Sequence, residues 1–348
     1  RAKVGRMASV ISRANPVVPA LPVDAVVLGE ALIDLFPEQP GLPLEDCERF
    51  VRHLGGAPCN LAVNLARQGI STALVTLVGT DALGRFVQKR LASEGVFVDG
   101  VQTHKTARTG ITLVSIGARG ERSFLSYRQQ SADMMLSPGD IPAALIERGR
   151  LFHFGSSLLS REPARAATLR ALELASKKRE RRLISRDVNL RPALWPELKE
   201  APPLLRKLLA SCDVVKLTQE ELPLLFGTES VEAAAAAARK LGAQAVTVTM
   251  GSAGSYLDCP AGQSYFAPES VSVLDKTGAG DAFCAGLLSV LLQELRGPVT
   301  STDASADDLR VRLRGLTLAQ WKRACARGNH LGALACTALG ATTAVPRL

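Results

Sequence analysis

Two short segments of this 348-residue chain place glycines beside a carboxylate or an amide in an order that chemistry can use. In Asp275-Lys276-Thr277-Gly278-Ala279-Gly280-Asp281, three small residues precede an apolar run that continues to Glu294. The backbone N–H groups of Gly278, Ala279 and Gly280 can converge, with the positive end of a following helix, on an anion such as phosphate. Asp281 would stand in the first helical turn, placed to take a proton from a hydroxyl while the amides hold charge on a transferred phosphoryl group. The alternative is an aspartate that simply favours a helix N-terminus beside a glycine turn. The second segment, Gly55-Gly56-Ala57-Pro58-Cys59-Asn60, also opens a helix. Its glycines let a ligand approach the backbone, and Asn60 offers both a donor and an acceptor to hydroxyl groups. With Asp34 these residues would form a hydroxyl-binding site at the carboxyl edge of a sheet; the alternative is a tight turn with a local cap.

The elements that must position these residues alternate. Ala25–Gly29 and Thr72–Gly79 read as strands buried on both faces, separated by a helix over 58–67 and followed by one over 82–94. After residue 150 the rhythm returns, with strands at 151–155, 182–185, 213–217 and 245–249 between helical stretches. This predicts an α/β fold, a doubly wound and mostly parallel sheet with helices on both faces. Residues 32–54 and 109–128 alternate like strands without intervening helices, which predicts a small antiparallel β flap added to the core. The division expected is a loose arm over 1–23 and a single α/β domain over 24–348, with an exposed insertion at about 296–315. The basic run 177–182, KKRERR, reads as a solvated helix end, where cations favour the dipole.

Composition excludes several classes. With 47% hydrophobic and 22% charged residues the chain is too apolar to be disordered, yet it lacks an uncharged apolar stretch long enough for a membrane span. The net charge of +9 falls to +5 without the four basic residues of the first 23, a balance suited to small anions rather than to coating nucleic acid. Seven scattered cysteines with no C-x-x-C pair, and four histidines, give no zinc pattern and read as thiols of a cytoplasmic protein. The start has no secretory apolar core, and Pro16, Pro19 and Pro22 break any transit helix. Gly79–Arg85 lacks the Lys and Ser/Thr of a P-loop, and no G-x-G-x-x-G follows a strand.

Taken together, GGAPCNLAVNLARQG near the front and DKTGAGDAFCAGLL near the back resemble the paired signatures of the ribokinase-like (PfkB) carbohydrate kinases. SFLSYRQQSADMML, FHFGSSLLSREPARAATLRAL and DVNLRPALWP are similar to the fructokinase branch, and the resemblance covers about residues 25–346. It implies ATP as donor, a sugar's primary hydroxyl as acceptor, and Asp281 as base over an anion hole of Gly278, Ala279 and Gly280. Asp34, Gly55, Gly56 and Asn60 would hold sugar hydroxyls, and Tyr127 and Arg128 would close over the sugar from the flap as a β-sheet lid, with Arg128 countering phosphate charge. Asn189 and Arg191 match a stretch near sugar and phosphates, and Thr249, Gly251 and Gly254 match a nucleotide turn. Glu221 matches the acidic end of an N-x-x-E motif that orders Mg2+ through water, with Thr218 in place of its Asn on the nucleotide side. Asp275 and Thr277 resemble the start of a loop that binds a monovalent cation such as K+. Val188 replaces an expected Pro. The resemblance implies a cytoplasmic fructokinase, a homodimer through the lid being one arrangement. The rival readings are a 2-keto-3-deoxygluconate, ribose or nucleoside kinase, or a non-catalytic interaction module.

Overall fold

Strand β1 (Val23–Leu28) sends Val26 and Leu28 into one apolar layer and Ala25 and Val27 into another, because successive side chains point to opposite faces and both faces are covered. The computed structural model of the chain describes residues 23–39, 41–116, 122–296 and 308–348. The expected N-terminal arm therefore lies outside the described residues.

After β1 the chain leaves the main sheet as β2 (Leu32–Pro37) and β3 (Phe50–Gly55), then returns through α1 (Ala57–Arg67), β4 (Thr72–Gly79), α2 (Ala82–Ser93) and β5 (Val101–His104). It leaves again as β6 (Ile111–Ile116) and β7 (Arg122–Tyr127). Then follow α3 (Ala143–Arg148), β8 (Gly149–Phe154), α4 (Ala164–Ala175), β9 (Leu183–Asp187), α5 (Ala201–Lys207) and β10 (Val214–Thr218). Next come α6 (Leu222–Phe226), α7 (Val231–Lys240), β11 (Ala245–Thr249), β12 (Ser255–Cys259) and β13 (Gly262–Phe266). The chain ends with α8 (Ala279–Glu294), α9 (Leu309–Arg314) and α10 (Leu318–Ala335).

Among the described residues the main sheet has the order β13-β12-β11-β10-β9-β8-β1-β4-β5. It is parallel from β11 to β5, and β12 and β13 close one edge as an antiparallel hairpin. One layer of helices includes α4, α5 and α7 over Phe152, Phe154 and Val215; the opposite layer includes α1, α8 and α10 over Val27, Leu74 and Leu151. Sequence alternation thus translates into a doubly wound sheet, as expected.

The second sheet has the order β3-β2-β6-β7. The expectation of an antiparallel lid needs correction, since β2 and β6 pair in parallel. Both strands leave the same carboxyl edge of the main sheet, one after β1 and the other after β5, so they set out in the same direction. In the lid, Phe36 and Val114 are buried with Leu339 against them, and the Phe36 ring meets His53 edge-on at 5.2 Å. On the other face Leu35 and Ile111 pack with Leu83 and Phe86 of α2.

Two further expectations change. In the basic run, Arg182 is buried and donates to the carbonyls of Glu147 (2.7 Å), Gly149 (2.8 Å) and Ala175 (3.0 Å), while Arg179 pairs with Asp213 at 2.7 Å. Helix ends leave carbonyls without partners, and these guanidiniums supply the donors. Of the stretch expected to be an exposed insertion, 297–307 lies outside the described residues, but Leu309 and Leu313 are buried on α9. Asp308 caps that helix by accepting from Arg310 N at 2.8 Å, so its polar look hides a short amphipathic turn. Among the described residues no helix is long and apolar enough to cross a membrane.

Candidate active site

Helix α8 begins at the carboxyl edge of the sheet because Gly278, its N-cap, adopts φ 78°, a conformation that only glycine enters without strain. A Cβ there would also strike the backbone of Ala341 at 2.6 Å, so the turn is seated on the C-terminal segment. Asp275 makes the other half of that seat. Its Oδ1 accepts from Thr277 N (2.9 Å) and Thr277 Oγ1 (2.7 Å), and its Oδ2 accepts from Gly340 N (3.1 Å).

Asp281 lies in the first turn of α8 and is buried. Its carboxylate accepts from Asn60 Nδ2 at 2.9 Å, which joins the two glycine-led segments although they stand 221 residues apart. Burial pushes the Asp281 carboxyl up to about 7. The Asn60 hydrogen bond and the charges of Lys216 and Arg191 work against that rise, and Asp187 adds to it. Asn60 itself keeps a buried Oδ1 with no partner among the described residues. Helix α1 starts at Gly56, whose φ of 98° and contact with the Glu30 carbonyl, 2.5 Å from a notional Cβ, again demand glycine.

Asp34 on β2 lies over Gly55, where a Cβ would meet the carboxyl carbon at 2.4 Å. Burial raises its carboxyl to about 7; Arg128 opposes this, while Asp281, Asp275 and Glu30 reinforce it. Arg128 is buried just beyond the lid strand and holds Asp133 at 2.5 Å, leaving its Nε without a partner among the described residues. Burial works against the Arg128 charge, but Asp133, Glu30 and Asp34 outweigh it. Its charge thus acts on the Asp34 side, whereas the cations that act on Asp281 are Lys216 and Arg191.

The placing of Tyr127 needs correction. Register pairs Asp34 with Thr112 and Thr112 with Ser126, which puts those side chains on one face, while Tyr127 pairs with Ile111 on the other. Tyr127 is 64% exposed there and does not cover Asp34. The hydroxyls on Asp34's face belong to Thr112 and Ser126, 3.1 Å apart.

Farther along the edge, Asn189 sits at φ 42° with its carbonyl accepting from Ser156 Oγ at 3.0 Å, and Arg191 is exposed. Glu221 is buried and spends both carboxylate oxygens on backbone, accepting from Leu190 N (2.6 Å) and Thr218 N (2.9 Å). Burial lifts its carboxyl above the usual range, opposed by Lys216. Thr218 completes a capping box with it. At the end of β11, Thr249 Oγ1 donates to the Leu217 carbonyl at 3.3 Å, and Gly251 and Gly254 turn the chain at φ 56° and 90°. Strand order therefore sets these residues on one flank of Asp281 and the lid on the other. Among the described residues, no three His, Cys, Asp or Glu side chains cluster as metal ligands.

A cleft beside Asp281 is lined also by Glu30, His153, Ser157, Asp187 and Asn189. Glu30 accepts from Ser157 Oγ at 3.1 Å. Sequence reasoning missed Glu30 and Lys216; the available signal was a charged residue in or directly after an otherwise apolar strand, which has to find a partner.

An open α/β sheet with a glycine-led helix start and a buried carboxylate at its carboxyl edge defines a phosphate-handling enzyme of the ribokinase-like class. Residues 23–348 match the pfkB family of carbohydrate kinases, and the chain belongs to it. It is 39% identical over 272 residues to fructokinase-1 of Oryza sativa subsp. japonica, a match covering 77% of this chain and 83% of that one. Among solved structures it resembles a fructokinase of Vibrio cholerae O395 in fructose-, ADP- and potassium-bound form, with TM-score 0.77 and 32% identity over 93% of this chain and 96% of that one. It also resembles aminoimidazole riboside kinase of Salmonella enterica, bound to aminoimidazole riboside and an ATP analogue, with TM-score 0.74 and 29% identity over 93% and 96%. The chain is an ATP-dependent carbohydrate kinase.

A buried carboxyl lifted to about 7 costs stability wherever it must ionise. Relative to the unfolded chain, the Asp281 carboxyl binds its proton more tightly in the fold, so its favourable contribution is complete below about pH 4 and is lost as pH rises through about 7. Asp281→Asn should therefore stabilise the ligand-free protein at pH 8 by on the order of 2–4 kcal/mol, a gap that narrows steadily toward pH 5. Urea unfolding of both proteins across that range measures it, and equal stabilities at pH 8 would contradict the buried ionised carboxylate.

Proposed function

We propose that the chain transfers the γ-phosphoryl group of ATP to the C6 hydroxyl of D-fructose, giving fructose 6-phosphate and ADP. The observation that carries this reading is the Asn60–Asp281 hydrogen bond, which fixes a proton-accepting carboxylate at the amide-rich start of α8. As the sugar oxygen bonds to phosphorus, its proton passes to Asp281 and the bond to the β-phosphate oxygen breaks, its electron pair leaving with ADP. The amides of Gly278, Ala279 and Gly280 hold the charge that grows on the phosphoryl oxygens. Asp34, the Gly55–Gly56 turn and the spare Asn60 Oδ1 supply partners for sugar hydroxyls. The flank from Asn189 and Arg191 to Thr218, Thr249, Gly251 and Gly254 takes the nucleotide. Fructose is favoured by the similarity to fructokinases, and the similarity to a riboside kinase makes a riboside the acceptor to test against it.

Magnesium would be carried mainly by the phosphates, because Glu221 has committed both oxygens to backbone N–H groups and can reach the ion only through water. Asp275 and Thr277, which brace the anion turn, offer hard oxygen donors that suit a monovalent cation. A lid-to-lid homodimer would cover Leu125 and Tyr127, both exposed on edge strand β7.

Coupled ADP release should be fastest with fructose in a panel that includes ribose, 2-keto-3-deoxygluconate and aminoimidazole riboside. Asp281→Asn should lower turnover by about two orders of magnitude or more with little change in fructose binding. A faster rate with the riboside would reassign the acceptor, and retained turnover would remove Asp281 as base. Potassium should stimulate the rate over tetramethylammonium at equal ionic strength; equal rates would dismiss the monovalent site. Sedimentation should find a dimer that Tyr127→Asp dissociates, and a wild-type monomer would end the lid-dimer reading.

A further inference from the structure

Lys216 occupies β10 between Val215 and Leu217, a buried strand position where a charge is expensive. Its ammonium lies 3.2 Å from both carboxylate oxygens of Asp187, also buried. A Cβ placed on Gly280 would come within 2.9 Å of Lys216 Nζ, so the ammonium fills the space that a side chain at the anion-binding turn would need. The Lys216 carbonyl, in turn, accepts from Val188 N at 3.1 Å and so holds the start of the 188–191 turn. One residue therefore touches the strand end that carries Asp187, the turn leading to Arg191, and the start of α8.

The charge inventory gives this contact a purpose. Asp187, Glu221 and Asp281 all act on Lys216, and burial, which favours the neutral amine, is outweighed so that the ammonium holds its proton more tightly than usual. A phosphate approaching the Gly278–Asp281 turn would meet these carboxylates, and the cations whose charge reaches Asp281 are Lys216 and the exposed Arg191. Resting on the kinase reading above, we propose that Lys216 is a positioning residue for phosphoryl transfer: held by Asp187 against Gly280, its ammonium fixes the anion-binding turn and places a buried positive charge behind the phosphate. It acts on the phosphoryl group and leaves the sugar flank to Arg128. A buried pair kept only for packing is the competing account, and replacing both charges by neutral side chains of similar volume would then be nearly silent.

Titration calorimetry with fructose, with ADP, and with ADP plus aluminium fluoride in the presence of fructose separates the two. Lys216→Met paired with Asp187→Asn removes both charges of the ion pair together, so that Asp187 is not left charged without its partner. It should leave fructose affinity within about twofold yet weaken ADP–aluminium fluoride at least about tenfold more than ADP alone, the size expected for losing a charged partner. Gly280→Ala, whose methyl displaces the ammonium, should weaken the same complex and add little in the double-substituted background. Full additivity, or equal loss for all three ligands, would overturn the proposal. Unchanged ADP–aluminium fluoride affinity in the double variant would overturn it too while leaving the kinase reading intact. Failure of the wild-type protein to bind fructose or nucleotide would overturn that reading and the inference with it.

Discussion

The hydrogen bond from Asn60 to Asp281 is the constraint on which the site depends. It requires α1 and α8 to begin side by side at the carboxyl edge of the sheet, and each does so through a glycine whose positive φ ends the preceding segment sharply. Without that junction Asp281 would lose its neutral hydrogen-bond donor and keep only the charges of Lys216 and Arg191 against the rise that burial imposes. With it, that donor acts beside the charges of Lys216 and Arg191 against the effect of burial, and the carboxyl lies at about 7.

Charge is laid out along the sheet edge in two territories. On the lid side Asp34 and Glu30 are countered by Arg128, which is itself anchored by Asp133. On the side of β9 and β10, Asp187 and Glu221 are countered by Lys216. Asp281 stands between, close enough to feel Asp34 from one side and Asp187 from the other. These two buried cations are each matched to a carboxylate, which offsets the cost of their charge in a low-dielectric interior. The departures from the expected family pattern fit this layout. Val188 keeps a backbone N–H that proline would lack and spends it on Lys216, and Thr218 still forms the capping box with Glu221.

The lid is held differently from the core. Its mixed pairing, with Phe36 and Val114 against Leu339 on one face and Leu35 and Ile111 against α2 on the other, anchors the base of the sheet and leaves the tip of β7 apolar and open. The contact of Phe36 with His53, and of the Gly340 turn with the His53 ring, ties the lid to the same C-terminal segment that seats Gly278. The lid, the Gly278 turn and the C-terminal segment are therefore held together as one unit.

Much of this was legible from residue order. Unbroken β-branched runs such as Ala25–Gly29 and Thr72–Gly79 can be buried on both faces only in a helix-covered parallel sheet, and small residues ahead of Asp281 can begin a helix that attracts anions. What sequence could not determine is which strand neighbours which and which way each side chain faces. Tyr127 and Ser126 are adjacent letters, yet the pleat sends them to opposite faces, and only the register with β6 decides which one shares a face with Asp34. Lys216 and Arg182 look like breaks in otherwise regular patterns until strand and helix packing brings Asp187 and the carbonyls of Glu147, Gly149 and Ala175 to them. Local sequence determined the elements and the reactive groups because propensity and burial act over a few residues. Partnership among charges, and with it the electrostatics of the site, arose only in the tertiary structure, because it depends on distances between residues far apart in the chain.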